Sequence, residues 1–448
     1  MQAMKRFDLM LAAALAAMAA CPAGGSGDGR FASAVVSYQN LGSGVYGDPD
    51  SVLGKPTTWI AEPGGPGTPA GTYACSLVYG AWNTAPDGTP LVVTLGSPYE
   101  TGEIVVEFDP PILDDPDNWY GMDLIVFGNS RFNGNGLVKA DTDMEQYYLN
   151  NGSVFEEPLT VSASQDNVHW FTFAAKADSY WPTNAFAWDR TVHAWGGEMD
   201  WTKPVNPALS SADFAGKSAA DAIDLYCGSA GGTAFDLAEI GLAQIRYVKV
   251  SGRGGEVDGF AWVTRPRAIG EAKLLADGMP VSLSDQIVTA GTSEVGDCFY
   301  IESPDRASGV RVVGGTADRD TYVMLSGVMA SAGGEREIRL TWMQGGDPGR
   351  VRALGVPIRA IARESGLDTT GLLVRTWGRV RSVDSARCRF VVDDGSGWAL
   401  QCAVPEADML PGRDAYVSVT GISSRDGSNG SIPVVRVRRG DDIKTYPE

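Results

Sequence analysis

At 448 residues, 44% of them hydrophobic, the chain is long enough for two or three domains with full cores. A formal net charge of −19 disfavours polyanionic partners such as nucleic acid or anionic lipid, and two histidines leave His-dependent triads and His-rich metal centres few members. No H-E-x-x-H, G-x-S-x-G or Walker-type G-x-x-x-x-G-K occurs, so no catalytic motif marks the chain as an enzyme.

In chain order, residues 4–20 (MKRFDLMLAAALAAMAA) have a short basic start, an apolar stretch and then small residues, the pattern of a secretory signal peptide. Residues 1–21 are therefore read as a signal, with Met4 as an alternative start. Cys21 after Met-Ala-Ala also resembles a lipoprotein cleavage site, although Met18 and Pro22 depart from that pattern. Free secretion and a lipid anchor at Cys21 both remain open. Either places the mature chain outside the cytoplasm, without a spanning helix. Residues 22–30 (PAGGSGDGR) read as a flexible leader.

From 31 to 270 the chain carries 12 basic and 29 acidic residues. Short runs of strand character recur at 91–96, 103–108, 123–128, 159–164 and 169–174, separated by Gly, Pro, Asn and Asp. The stretch 235–263 closes the series with strands at 245–250 (IRYVKV) and 256–263 (EVDGFAWV), joined by SGRGG. This spacing predicts a β-sandwich with a large aromatic insertion at 176–225, whose best helix candidate is 210–225. Within the 169–174 strand, His169 beside Trp170 reads as a packing residue.

GEIVVEFDPPI, GMDLIVFGN, VSASQDNVHWFTF, AFDLAEIGLAQIRYVKV and EVDGFAWV, in that order, resemble the core of a family of bacterial secreted or cell-surface proteins. Those proteins resemble galactose-binding, discoidin-type jelly rolls. The likeness covers most of 31–267; it implies a binding fold and no settled activity.

The tail repeats itself: CFYIESPDRASGVRV, YVMLSGV and EREIRL are matched by CRFVVDDGSGWAL, YVSVTGI and IPVVRV. Five short strands with a Ser-Gly hairpin in each copy resemble the OB-fold barrel. The fold class is thus all-β: an N-terminal jelly-roll-like sandwich followed by two small OB-like β-barrels, at 271–346 and 371–448, with 347–370 as linker.

Three groups of residues are candidates for chemistry. Asp123 and Asn129 bracket one strand, while Asp236, Glu256 and Asp258 bracket the closing pair, and oxygen ligands of this kind suit calcium. The same acids also suit turn caps. Tyr180, Trp181, Trp188, Trp195 and Trp201, with Asp189 and Asp200, have the makings of a sugar-stacking platform or of a small core. Arg375, Arg379, Arg381, Arg387, Arg389, Arg436, Arg438 and Arg439, interleaved with Tyr416 and Trp398, invite a nucleic-acid reading. However, 11 basic residues against 10 acidic from Gly371 onward leave no positive stripe, and a structural or protein-contact role is preferred.

Cys388 and Cys402, seven residues either side of Gly395, are expected to form a cross-strand disulfide, and Cys75 with Cys227 to bridge the sandwich. Together these features describe a non-catalytic secreted or cell-surface protein that recognises glycan through its sandwich, with calcium assisting. A structural envelope or matrix protein and a polysaccharide-active enzyme are the alternatives.

Overall fold

Strands with one buried face dominate the chain. In Gly102–Leu113 and Gln244–Gly252 the apolar side chains Ile104, Val106, Val248 and Val250 alternate with more exposed neighbours. A computed structural model describes residues 30–40, 46–65, 68–362, 366–427 and 431–447. The expected signal peptide, Cys21 and most of the leader lie outside the described residues.

The all-β class holds. One layer of the sandwich is a five-stranded antiparallel sheet in the order Ala34–Gln39, Gly102–Leu113, Gln244–Gly252, Leu159–Ser164, Phe171–Ala177. Facing it are Thr233–Phe235, Leu124–Phe127 and Gly259–Trp262, with Val93–Thr94 paired to Glu256–Val257. Phe108, Leu124, Val126, Phe173, Phe235 and Phe260 fill the space between the layers.

The strands closing the sandwich do not pair with each other. Gln244–Gly252 runs through the five-stranded sheet, and the chain then crosses over so that Glu256–Val257 and Gly259–Trp262 join the opposite layer. His169 falls in the turn before Phe171–Ala177, exposed and 2.8 Å from Asp166, so it is a turn residue rather than a packing one.

Leu124–Phe127 is buried on both faces. Ile125 and Phe127 point away from the sandwich core into a second apolar cluster built by the insertion. Trp201, Phe214, Tyr226 and Ile223 are fully covered there, and Tyr180, Trp181, Trp188 and Trp195 pack against it. The predicted helix at 210–225 becomes two short helices, Ser211–Phe214 and Ala219–Leu225, each started by a serine.

Both tail repeats close into five-stranded barrels of one topology. The first runs Pro280–Ala290, Cys298–Glu302, Gly309–Val313, Glu335–Pro348, Thr321–Ala332 and back to its first strand. The second runs Leu373–Asp384, Arg389–Asp393, Ala399–Ala403, Ile432–Arg436, Tyr416–Asp426 and closes through the first and last of these. In each, the third and fifth strands in sequence are parallel, the Greek-key closure of an OB barrel.

The expected linker is part of the barrels. Its start completes Glu335–Pro348, Leu354–Gly355 adds to the edge of Leu373–Asp384, and the helix Ile358–Ala362 packs beside Ala399–Ala403. Likewise Ile269, from the end of the expected sandwich, lies with Ala272 in the core of the first barrel.

Two interfaces join the units. Between sandwich and first barrel, Asp200 accepts from Ser282 Oγ at 2.6 Å, and Lys203 is wholly buried beneath Trp119 and Trp342. Between the barrels, Leu373 N–H donates to Glu302 at 2.7 Å and Arg438 donates to the Thr289 carbonyl at 2.6 Å. An apolar cluster of Ile287, Tyr300, Val351, Leu373 and Ile422 lies between these contacts. Backbone meets backbone at Gly309 and Gly371, where a Cβ on Gly309 would sit 2.3 Å from the Gly371 carbonyl oxygen.

Candidate functional site

A cleft of about 690 Å³ opens at the rim of the sandwich. One wall is the hairpin of Arg131–Gly134 with Leu149–Phe155, and the other is the segment carrying Tyr79 and Trp82. Gly80 lets that segment approach the first wall, since a Cβ there would lie 2.2 Å from the Asn129 carbonyl oxygen. Tyr46, Tyr79, Trp82 and Phe155 supply aromatic surface, and Arg131 stacks on Phe155 with its guanidinium carbon 4.2 Å from the ring centre.

The floor is polar. Glu256 arrives on the crossover strand and Glu157 follows the Leu149–Phe155 strand; with Asp178 beneath them, the three offer carboxylate oxygens within 4.8 Å of one another. Glu256 accepts from Asn129 Nδ2 at 3.1 Å and from Thr94 Oγ1 at 3.2 Å. Asp178 accepts from the backbone N–H groups of Asn129 at 2.9 Å and Ser130 at 2.8 Å. Burial pushes the Asp178 carboxyl up to about 7; burial, with Glu157 and Asp178 alongside, pushes Glu256 up to about 8. Asn129 Oδ1 is buried with no hydrogen-bond partner.

These are hard oxygen donors with too little positive charge around them. Glu157, Glu256 and Asp178 offer part of the shell of six to eight oxygens that calcium takes. Open cleft above them leaves room for water or a ligand's hydroxyls to complete it.

The five expected metal ligands separate into three places, and only Asn129 and Glu256 meet in the cleft. Asp123 comes near Asp114 and Asp236. Its oxygens already accept from Asp115 N–H and Asn118 Nδ2 at 3.0 Å and from Leu237 N–H at 2.9 Å. Asp236 caps the turn Leu237–Ile240 by accepting from Ala238 N–H at 2.8 Å. Asp258, wholly enclosed, accepts from Thr57 N–H and Oγ1 and is pushed by burial up to about 7. Those three acids work as backbone tethers.

The aromatic insertion stands apart from the cleft. Trp201 is 3% exposed against Phe127, where the platform needs it open. Trp188 and Trp195 pack edge to face at 5.2 Å and Trp188 donates to Glu145. Tyr180 and Trp181 pack edge to face on each other and on Phe214. Asp189 caps its hairpin at Thr191 N–H, and Asp200 serves the barrel interface.

All five described cysteines are thiols. Phe390, not Cys388, lies opposite Cys402, because the hairpin turns about Ser396 instead of Gly395. Cys402 enters the second barrel's core, Cys75 is buried in the insertion cluster, and Cys227 Sγ turns toward Gln344 of the first barrel. Among the candidate arginines, Arg438 is 8% exposed in the barrel interface and Arg389 pairs with Asp426.

No protein-family model and no curated protein matches the chain. Among solved structures it is similar to the tetrameric p202 HIN2, at 12% identity and a TM-score of 0.21, covering 39% of this chain and 96% of that one. It is also similar to the Ifi202 HINa domain in complex with 20-bp dsDNA, at 12% identity and a TM-score of 0.22, covering 39% of this chain and 99% of that one. Similarities this distant carry no functional weight.

Proposed function

We propose that the protein is an exported, non-catalytic binding protein that takes a glycan in the rim cleft, with calcium held by Glu157, Asp178 and Glu256. The observation that carries this reading is one cleft with aromatic walls and a floor of carboxyl oxygens. Pyranose rings offer flat CH faces to Trp82, Tyr79 and Phe155, while their hydroxyls meet the oxygen-rich floor and Arg131. Export rests on the signal-like residues 4–20 and agrees with the resemblance to secreted and cell-surface jelly rolls. Among the described residues no helix is long and apolar enough to cross a membrane.

Two neighbouring acids, with burial and Glu157 raising the pKa of Glu256, also suggest a hydrolase. Geometry favours binding instead. Glu157 and Glu256 bring carboxylate oxygens within 4.8 Å of each other, whereas hydrolysis needs two carboxyl groups about 5–9.5 Å apart with the sugar bond between them.

A glycan array run with calcium and with chelator tests the reading. Binding should be calcium-dependent and should be lost in Trp82→Ala and Glu256→Gln, without turnover of the bound polysaccharide. Binding that survives both substitutions, or release of reducing ends, would refute it.

A further inference from the structure

A second site stands on the outer face of the second barrel, independent of the rim cleft. Alternation along Leu373–Asp384 turns Val374, Thr376 and Val380 inward and sets Arg375, Trp377 and Arg379 outward in a row. Strand register then sets Ser418 opposite Trp377 with Lys444 one strand beyond it, and Tyr416 opposite Arg379 with Tyr446 one strand beyond it. A groove of about 820 Å³ runs over this face.

Three exposed aromatic rings share this face. Trp377 is 53%, Tyr416 47% and Tyr446 51% exposed, while Trp119, Trp201 and Trp342 are all under 9%. The cations differ in how they are held. Arg381 pairs with Asp393 at 2.9 Å and Arg379 with Asp414 at 3.3 Å. Arg375 donates to Thr420 Oγ1 at 3.0 Å. Among the described residues neither Arg375 nor Lys444 has a carboxylate partner, and the two flank Trp377 at about 12 Å from each other by strand rise and spacing.

We propose that this face binds an anionic polysaccharide in which uronate rings alternate with neutral ones. Trp377, Tyr416 and Tyr446 stack on sugar faces. Arg375 and Lys444 receive carboxylates two rings apart, the guanidinium by its fork and the ammonium as a point charge. Asp393 and Asp394 at the groove's edge accept sugar hydroxyls. The same two acids argue against single-stranded nucleic acid. Stacking would suit it, but a phosphate on every residue meets only two cations without a carboxylate partner, beside two carboxylates.

The test uses the full chain and titrates oligosaccharides of hyaluronan, unsulfated chondroitin and heparosan, three polymers in which a uronate alternates with a neutral ring, against tryptophan fluorescence, with oligo-dT and a neutral cello-oligosaccharide as comparators. At least one uronate polymer should bind in a salt-sensitive manner. Arg375→Gln/Lys444→Gln and, separately, Trp377→Ala should each weaken it at least tenfold at an unchanged melting temperature. Trp82→Ala, in the rim cleft, should leave it unchanged. Failure of all three uronate polymers, tighter binding of oligo-dT, or equal loss in Trp82→Ala would each overturn the proposal. Loss of calcium-dependent array binding alone would count against the rim cleft only.

Discussion

Lys203 gives the sharpest test of how the sandwich and the first barrel are joined. It is wholly buried, with Nζ donating to the Cys227 carbonyl at 2.6 Å and lying 4.2 Å from the Trp119 ring centre and 5.4 Å from that of Trp342. Burial lowers its pKa from 10.5 to about 8, against opposition from Asp200 and Cys227. At about 1.36 kcal/mol per pH unit this gap amounts to about 3 kcal/mol. The indole faces favour the ammonium by roughly 0.5–2 kcal/mol, which narrows the range to about 1–3 kcal/mol. Below pH 8 both folded and unfolded states carry the proton and the full cost of the buried charge is present. Between pH 8 and 10.5 the folded state has released its proton while the unfolded chain keeps it, so stability rises with pH. Lys203→Met keeps the stem and removes the titration. Urea unfolding at intervals from pH 7 to 10 should show the wild type gaining about 1–3 kcal/mol relative to Lys203→Met. Parallel curves across that window would refute the buried-charge account.

Other outcomes follow from the same contacts. Burial raises Glu302 to about 7, so its contribution is complete below about pH 4.5 and is lost as pH rises through 7; Glu302→Gln should flatten that slope in thermal melts. Trp201→Ala empties a covered site and should cost roughly 3–5 kcal/mol in chemical unfolding, whereas Trp377→Ala on the barrel face should cost little. Gly371 has φ +92° and no room for a Cβ against Gly309, so Gly371→Ala should destabilise by more than about 1 kcal/mol and loosen the barrel pair in limited proteolysis. Calcium should raise the melting temperature of the wild type and not that of Glu256→Gln, with a change of about 3 kcal/mol at a hundredfold excess over the dissociation constant.

Much of the scaffold was legible because strand periodicity is local. Leu159–Ser164 falls where alternation places it, and the two tail repeats became two barrels with one strand order. Register was less legible: a single-residue error in the turn centre put Cys388 opposite Cys402 when Phe390 occupies that place. The cleft was hardest to read. Tyr46, Tyr79, Trp82, Arg131, Phe155 and Glu157 come from separate parts of the chain and meet Glu256 only through sheet pairing. The mixed polar and aromatic run 128–136 (GNSRFNGNG) was its one local signal. Clustered tryptophans at 181–201 pointed elsewhere, since sequence shows their number and not which side of Leu124–Phe127 they cover.

The first barrel is fastened on both sides, to the sandwich through Asp200, Ser282 and Lys203 and to the second barrel through Glu302, Arg438 and the Gly309–Gly371 contact. It therefore serves as a ruler rather than a hinge. A flexible tether would let avidity grow smoothly with polymer length as the two ends searched for each other. With the span set by packing, an oligosaccharide shorter than the distance from the proposed cleft to the proposed groove would occupy one of them at most. For a polymer that both proposed sites accept, the second engagement past that length would be intramolecular, so its binding would strengthen as a step at one chain length, and that length would measure the protein.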